Sequence, residues 1–343
     1  MRYIKLFSGF LIIISMMGTG CSEWFGKADA NAMENDTTLS LVIREWSKRI
    51  RQYPENDEYR YKRGLELAEA KRYDLALADM DKAIDLKPQV ALYHLGKANV
   101  LFAQNETKKA LESYEEAVKV EPKNEEALLS LGRFLLFVRQ FDKSELRISQ
   151  LIKENPANAD AWFYKGMLKK ETGDTAAAIE SFQQAVAIDA YNYNSLIQLG
   201  NLYSEKKDTI GLAYFHNATL VDEYSDEAWY GLGLLYQRLG RYDSAIAKYQ
   251  QTINVNPSHY YAYYNTGYIL FSQNNWDRAI EHFRIALKFA PEFAKAHYML
   301  GLCNEAKQNP DEAIVHYERC LQVDPNFQLA KDAIQRVRSQ SNG

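Results

Sequence analysis

Between Asp226 and His259 the chain reads DEAWYGLGLLYQRLGRYDSAIAKYQQTINVNPSH, with apolar residues in two helical phases. Trp229, Leu232, Gly233 and Tyr236 fall on one helical face. Gly240 interrupts that phase, and Asp243 and Ser244 both offer N-cap side chains for a second helix. Ala245, Ile246, Tyr249 and Ile253 mark the apolar side of the second helix, and Pro257 closes the segment. A helix hairpin this short cannot bury its own apolar face, so it requires neighbours of the same kind.

The same pattern recurs along the chain. Pro54, Pro88, Pro122 and Pro156 stand 34 residues apart. The register passes through Ala190, slips by one to Glu223, and resumes at Pro257, Pro291 and Pro325. Gly64, Gly132, Gly166, Gly200, Gly233, Gly267 and Gly301 keep that register, with Ala98 in the second repeat. Glycine inside a helix costs about 1 kcal/mol relative to alanine. Its recurrence at one place points to close helix–helix approach there. Small residues recur in the facing helix at Ala76, Ala110, Ala178, Gly211, Ala245, Ala279 and Ala313, with Ser144 in the third repeat. Aromatics follow four residues later at Tyr114, Phe182, Phe215, Tyr249, Phe283 and Tyr317, while the third repeat has Ile148.

These residues at this period resemble the tetratricopeptide repeat, a helix–turn–helix unit of 34 residues. The resemblance covers Asp57 to Phe327 and implies an all-α fold, an α-solenoid of about eight tandem hairpins. The repeats are 57–90, 91–124, 125–158, 159–192, 193–225, 226–259, 260–293 and 294–327. The fifth is one residue short around Lys206–Thr209 and lacks its proline, so a local change of superhelix pitch is expected there, not a domain break. Residues 40–56 read as an N-terminal capping helix with Val42, Ile43, Trp46 and Ile50 on one side. Residues 328–343 read as a solvating C-terminal helix, apolar at Ala330, Ala333, Ile334 and Val337 and frayed from Ser339.

Composition is that of a globular protein, 47% hydrophobic and 25% charged over 343 residues. That length suggests two domains, but the unbroken repeat argues for one array. A net charge of −4 without a basic face argues against nucleic acid as a partner. Three cysteines make no disulfide framework. Cys303 and Cys320 lie on the two helices of the last repeat, either as small core residues or as an intra-repeat disulfide.

Residues 1–20 form a leader: Arg2 and Lys5 are its positive end, and Leu6 to Met17 its short apolar core. Gly18-Thr19-Gly20-Cys21 resembles the lipobox of bacterial lipoproteins, with Gly18 in place of the usual leucine. That resemblance implies acyl chains on Cys21 and a place in the bacterial cell envelope. Ser22, which is not the aspartate linked to inner-membrane retention, makes the outer membrane the expected site. The competing reading is a secreted chain cleaved after Ala28-Asp29-Ala30. Residues 21–39 read as a polar tether, in which Trp24 and Phe25 either rest in the lipid interface or are incidental.

Catalytic and metal-binding patterns are absent from the sequence. The six histidines have no H-x-x-x-H or H-E-x-x-H spacing, and Gly231-Leu232-Gly233 lies inside a helix with no strand before it. His282 and His316 share one register place as candidate stacked neighbours. No enzyme activity and no cofactor is expected. Family resemblance implies that the first helix of each repeat lines a concave groove through its fifth, ninth and twelfth places. The fifth holds Tyr61, Leu95, Leu129, Phe163, Ile197, Tyr230, Tyr264 and Tyr298. Leu95 and Ile197 stand where a carboxylate clamp would need lysine. The densest aromatic run is in the seventh repeat, and the candidate groove residues are Tyr230, Leu234, Tyr261, Tyr264, Tyr268, Phe271 and Tyr298. Single tyrosines there can equally pack between adjacent first helices; as a cluster they suit a protein or peptide ligand. The expected function is a non-enzymatic scaffold, with assembly of an envelope complex as the role it would serve, and the alternative is a carrier or sensor of a small ligand such as a glycan fragment.

Overall fold

The computed structural model describes residues 32–341, and every regular element among them is helical. Helix α1 (Leu41–Gln52) precedes the hairpins. These are α2 (Asp57–Glu69) with α3 (Tyr73–Leu86), α4 (Ala91–Ala103) with α5 (Thr107–Val120), and α6 (Glu125–Phe137) with α7 (Phe141–Glu154). Next come α8 (Ala159–Glu171) with α9 (Thr175–Ile188), α10 (Tyr193–Glu205) with α11 (Ile210–Val221), and α12 (Asp226–Arg238) with α13 (Tyr242–Val255). The last hairpins are α14 (Tyr260–Ser272) with α15 (Trp276–Phe289) and α16 (Ala294–Ala306) with α17 (Pro310–Val323); α18 (Gln328–Ser341) follows. Packing divides the chain at Leu168, inside α8, into an N-terminal and a C-terminal body.

Local chemistry sets the hairpin geometry. Five first helices start on an Asn or Ser cap: Asn56, Asn124, Asn158, Asn192 and Ser225 accept from a backbone N–H three residues on. Each hairpin turn holds one left-handed residue, Lys71, Asn105, Arg139, Gly173, Lys207, Gly240, Asn274 or Gln308, with φ from 54 to 86°. The second helices then begin earlier than the candidate caps suggest. Helix α13 starts at Tyr242 after Arg241, so Asp243 lies inside its first turn and neither Asp243 nor Ser244 caps it. The left-handed Gly240 lets Arg241 N–H reach the Tyr236 carbonyl at 2.9 Å, which ends α12 and leaves the chain directed into α13. Asp74, Asp142 and Asp277 occupy the same second position, where the helix dipole favours a carboxylate.

The register glycines seat a large side chain of the partner helix. A Cβ on Gly233 would lie 2.6 Å from the Tyr249 ring, and one on Gly301 would lie 2.3 Å from the Tyr317 ring. Both rings are fully buried. In the third repeat Gly132 faces Ile148, and Ser144 satisfies its buried hydroxyl on the Gly132 carbonyl at 2.8 Å.

In the N-terminal body, Ile43 and Ile50 turn α1 inward, but Val42 is exposed. Ser47 takes the inward place instead, because its hydroxyl accepts from the buried Arg63 guanidinium at 3.0 Å. Asp79 is gripped by Arg63 at 2.6 and 2.8 Å and by Arg60 at 3.3 Å. This buried ionic cluster ties α1, α2 and α3 together. The C-terminal part of the expected tether is ordered: residues 32–35 are helical, and Met33 and Leu39 are buried beside Ile43 and Leu67. Glu34 also pairs with Arg51 through both carboxylate oxygens, at 2.7 and 3.1 Å.

In the C-terminal body, the missing residue of the fifth repeat is taken from its second helix, and the hairpin turn before it is one residue longer. Helix α11 has 12 residues where α13 has 14, and its start is held by the Asp208 carboxylate on Ile210 N–H at 2.9 Å. At the other end, α18 buries Ala330, Ala333, Ile334 and Val337. Arg336 of α18 forms two bonds of 2.8 and 2.9 Å to Glu305 of α16.

Candidate functional site

The first helices of successive hairpins run side by side in the C-terminal body. Asn265 of α14 donates to the Tyr230 hydroxyl of α12 at 3.0 Å, and the Tyr230 and Tyr261 rings are 6.5 Å apart. Helix α14, YYAYYNTGYILFS, has no charged residue.

The candidate groove residues separate into two groups. Tyr261 and Tyr268 stand exposed at 44% and 46%. The fifth-place tyrosines are half-buried against the second helix of their own hairpin. Tyr230 packs on Tyr249 at 5.7 Å, Tyr264 on Phe283 at 5.6 Å, and Tyr298 on Tyr317 at 5.6 Å. Leu234 and Phe271 are also half-buried, Phe271 against the cluster around Leu270 and Leu300.

Three further residues join the aromatic group: His259, Tyr260 and Phe293. His259 caps α14 by accepting from Ala262 N–H at 3.2 Å, and its ring lies 4.7 Å from Tyr230. Phe293 holds the cap position of α16 with no side-chain cap bond. Its ring meets Tyr260, Tyr261 and Tyr264 at 5.3, 5.5 and 4.9 Å. A capping side chain contributes about 1 kcal/mol; here that place is given to an aromatic contact. An apolar residue at a repeated cap position is the sequence signal that marks it. Tyr260, Pro291, Glu292 and Phe293 line an open recess of about 420 Å³ beside these rings.

Helix α14 itself carries no charge, while Glu292 lines the recess beside it. Burial pushes the Tyr264 hydroxyl up to about 12. The hydrogen bond with Tyr261, then burial, pushes Tyr260 up to about 12. Burial also raises Tyr230 and Tyr298 and lowers His259. The face therefore presents flat rings and protonated hydroxyl donors. Such a face can hold a ligand against its rings. Among the described residues no group of three or more metal-ligating side chains converges.

Side chains at the fourth place of the first helix latch the preceding turn. Trp162 donates to the Pro156 carbonyl at 2.9 Å, Trp229 to Glu223 at 3.0 Å and Tyr263 to Pro257 at 3.3 Å. His94 and His297 make the same contact through Nε2, at 2.9 and 3.2 Å. His316 stacks on His297 at 6.4 Å and not on His282, which faces Tyr263 at 6.2 Å. The fourth place of a first helix meets its own second helix, so the pairing runs within a hairpin and not between hairpins. Cys303 and Cys320 are buried free thiols, pushed by burial up to about 12 and about 11. Cys21 lies outside the described residues, and within them no helix is long and apolar enough to cross a membrane.

Sequence models of the tetratricopeptide repeat match residues 44–91, 101–165, 159–192, 211–253, 230–292 and 294–327, more than half of the chain. The BBSome complex member BBS4 of Bos taurus is 29% identical over 170 residues, 48% of this chain and 32% of that protein. A TPR repeat-containing protein of Methanocaldococcus jannaschii is 26% identical over 220 residues, 61% of this chain and 33% of that protein. The chain thus spans about a third of the length of these curated relatives. A solved structure, the C-terminal part of a TPR repeat-containing protein from Cytophaga hutchinsonii, shares the fold with a TM-score of 0.57 and 18% identity, covering 69% of this chain and 98% of that one. Period, hairpin geometry and sequence models agree over the same residues, and the chain belongs to the tetratricopeptide-repeat family.

Proposed function

We propose that this protein is a non-enzymatic scaffold of the bacterial cell envelope, anchored through lipid on Cys21, that grips a protein or peptide on the tyrosine face of its C-terminal body. The observation that carries the binding reading is the exposure of Tyr261 and Tyr268 on the charge-free α14. Rigid rings with a polar tip concentrate binding energy at interfaces. Family character supports it, since tetratricopeptide repeats generally serve protein interaction. So does the name of one relative, a member of a protein complex. The anchor rests on the leader and the lipobox-like Gly18–Cys21, and the outer membrane on Ser22. A role in assembling an envelope complex follows from an anchored binding face.

Affinity capture from envelope extracts tests the binding reading. The wild-type chain should retain a stoichiometric protein that Tyr261→Ala combined with Tyr268→Ala loses. An unchanged set of captured proteins would contradict it. Anchoring is tested separately by Cys21→Ser, which should leave the membrane fraction; its retention there would exclude the lipid link.

The recess beside Tyr260 and Phe293 favours a second reading, a small ligand such as a glycan fragment stacked on the rings. A glycan binder would yield no stoichiometric protein in the same capture.

A further inference from the structure

Two tyrosines outside the α14 face stand where the fold needs no ring. Tyr191 and Tyr224 are the most exposed aromatic side chains among the described residues, at 74% and 76%. Each follows the register place of the repeat proline, and these are the two turns with Ala190 and Glu223 in its stead. Asp189 and Asp222 hold the turns by accepting from the N–H of Tyr191 and Tyr224 at 3.0 Å. The same bond serves Ala157, Ser258 and Asn326 in other repeats, at 3.0 to 3.1 Å. The turn therefore forms without a ring, and a ring left in water contributes no burial.

The two turns touch. The Tyr193 hydroxyl lies 2.5 Å from Ser225 Oγ and reaches Glu227 at 3.5 Å. Tyr191 and Tyr224, two residues and one residue earlier, thus emerge on one edge of the C-terminal body. Leu220, on the last turn of α11, is exposed just before Tyr224.

Charge selects what this edge can hold. Asp189, Asp222, Glu223 and Glu227 are all exposed there. Asp189, Asp222 and Glu227 are bonded to N–H and hydroxyl groups, not to a cation. Burial raises the Tyr193 hydroxyl, and the Glu227 and Asp222 carboxylates add to it. From residue 171 to 237 the only bases are Lys206 and Lys207, at the far end of α10 from Tyr193. Lys248 of α13 is held over the Trp229 ring at 5.0 Å. An anionic lipid surface, a nucleic acid or a second copy of the edge would meet like charge. A cation is drawn both by the ring faces and by the carboxylates. Guanidinium suits them best, since it is flat enough to stack on a ring and takes a carboxylate through two N–H groups.

We propose that the Tyr191–Tyr224 edge binds an arginine-bearing protein segment, with guanidinium groups on the two rings and Asp222, Glu223 and Glu227 as counter-charges. This surface is separate from the α14 face and stands whether or not that face binds a partner.

The test is fluorescence-anisotropy titration of the whole chain with a short end-capped peptide alternating arginine and serine. The same peptide with citrulline for arginine keeps the shape and removes the charge. The arginine peptide should saturate at least about tenfold more tightly than the citrulline peptide. Its affinity should fall several-fold from ~0.05 to ~0.5 M salt. Tyr191→Ala combined with Tyr224→Ala leaves every carboxylate in place and should weaken binding about tenfold. Phenylalanine at both positions should hold it within about twofold, and Tyr261→Ala with Tyr268→Ala should bind as wild type does. Helical circular dichroism shows whether each variant is folded. Absence of saturation, equal binding of the citrulline peptide, or wild-type affinity in the folded double-alanine variant would overturn the proposal, the last by showing only diffuse attraction to an acidic chain. Loss of binding in the Tyr261 and Tyr268 variant would move the cation to α14 and overturn it. A dimer seen by sedimentation and lost in the Tyr191 and Tyr224 alanine variant would give the edge to a second copy and overturn it as well.

Discussion

At Gly301 a single added methyl group would come within 2.3 Å of the Tyr317 ring, which is fully buried. The ring cannot withdraw without breaking its 2.7 Å hydroxyl bond to Glu305. Gly301→Ala should therefore destabilise the protein by about 1–3 kcal/mol in urea denaturation, the range for overpacking a core. An unchanged midpoint would mean that the ring is not seated on the glycine. The histidines give the residue-scale pH response. Burial lowers His259, His282, His297 and His316 below the ordinary value of 6.5. Their surroundings include Arg284, Arg319 and Glu312 near His316 and His297, and Asp226 near His259. A lowered folded-state value means that the unfolded chain takes up these protons first. Stability from the four groups is complete above about 6.5 and is lost as pH falls through their folded-state values. Tm should drop between pH 7.5 and 5, and His297→Gln with His316→Gln should shrink the drop. A Tm equal at both pH values in the wild-type protein would contradict the buried neutral state.

Among the elements, α1 is docked on a buried ionic cluster as well as through Ile43 and Ile50. Asp79 neutralises Arg63 and Arg60 in the interior, and Ser47 of α1 completes the cluster. Removing one partner of a buried pair typically costs about 3–5 kcal/mol. Asp79→Asn should lower N-terminal stability by an amount in that range and expose α1 to amide exchange. Exchange in α1 that matches wild type would show that the cluster does not hold it. This cluster also shows what the sequence leaves unread. Apolar phase placed α1 and its inward Ile43 and Ile50, but it also placed Val42 inward, because periodicity cannot foresee a buried arginine that recruits Ser47. Likewise, Asp243 looked like a cap because aspartate favours both the cap and the first turn. The left-handed Gly240 decides between them, and it acts through backbone geometry.

For the whole molecule, the repeat was legible because one spacing constrains many positions together. Prolines, glycines and partner-helix aromatics all keep it, and the hairpins lie where it sets them. The final segment was equally plain, since Ala330, Ala333, Ile334 and Val337 return on one helical face. The tyrosine face was legible only in direction. Register points Tyr230, Tyr264 and Tyr298 toward it, but their depth depends on Tyr249, Phe283 and Tyr317 of the partner helices, which no spacing reports. Phe293 was missed because it sits at a cap place, where polar side chains are the rule. On the proposed reading the α14 face holds a protein in the cell. Photo-crosslinking in living cells tests it most directly, with a photoreactive residue in place of Tyr268 and, as control, in place of the exposed Val315 on α17. One defined protein adduct is expected from position 268 and none from 315. No adduct at 268, or the same adducts from both positions, would contradict it.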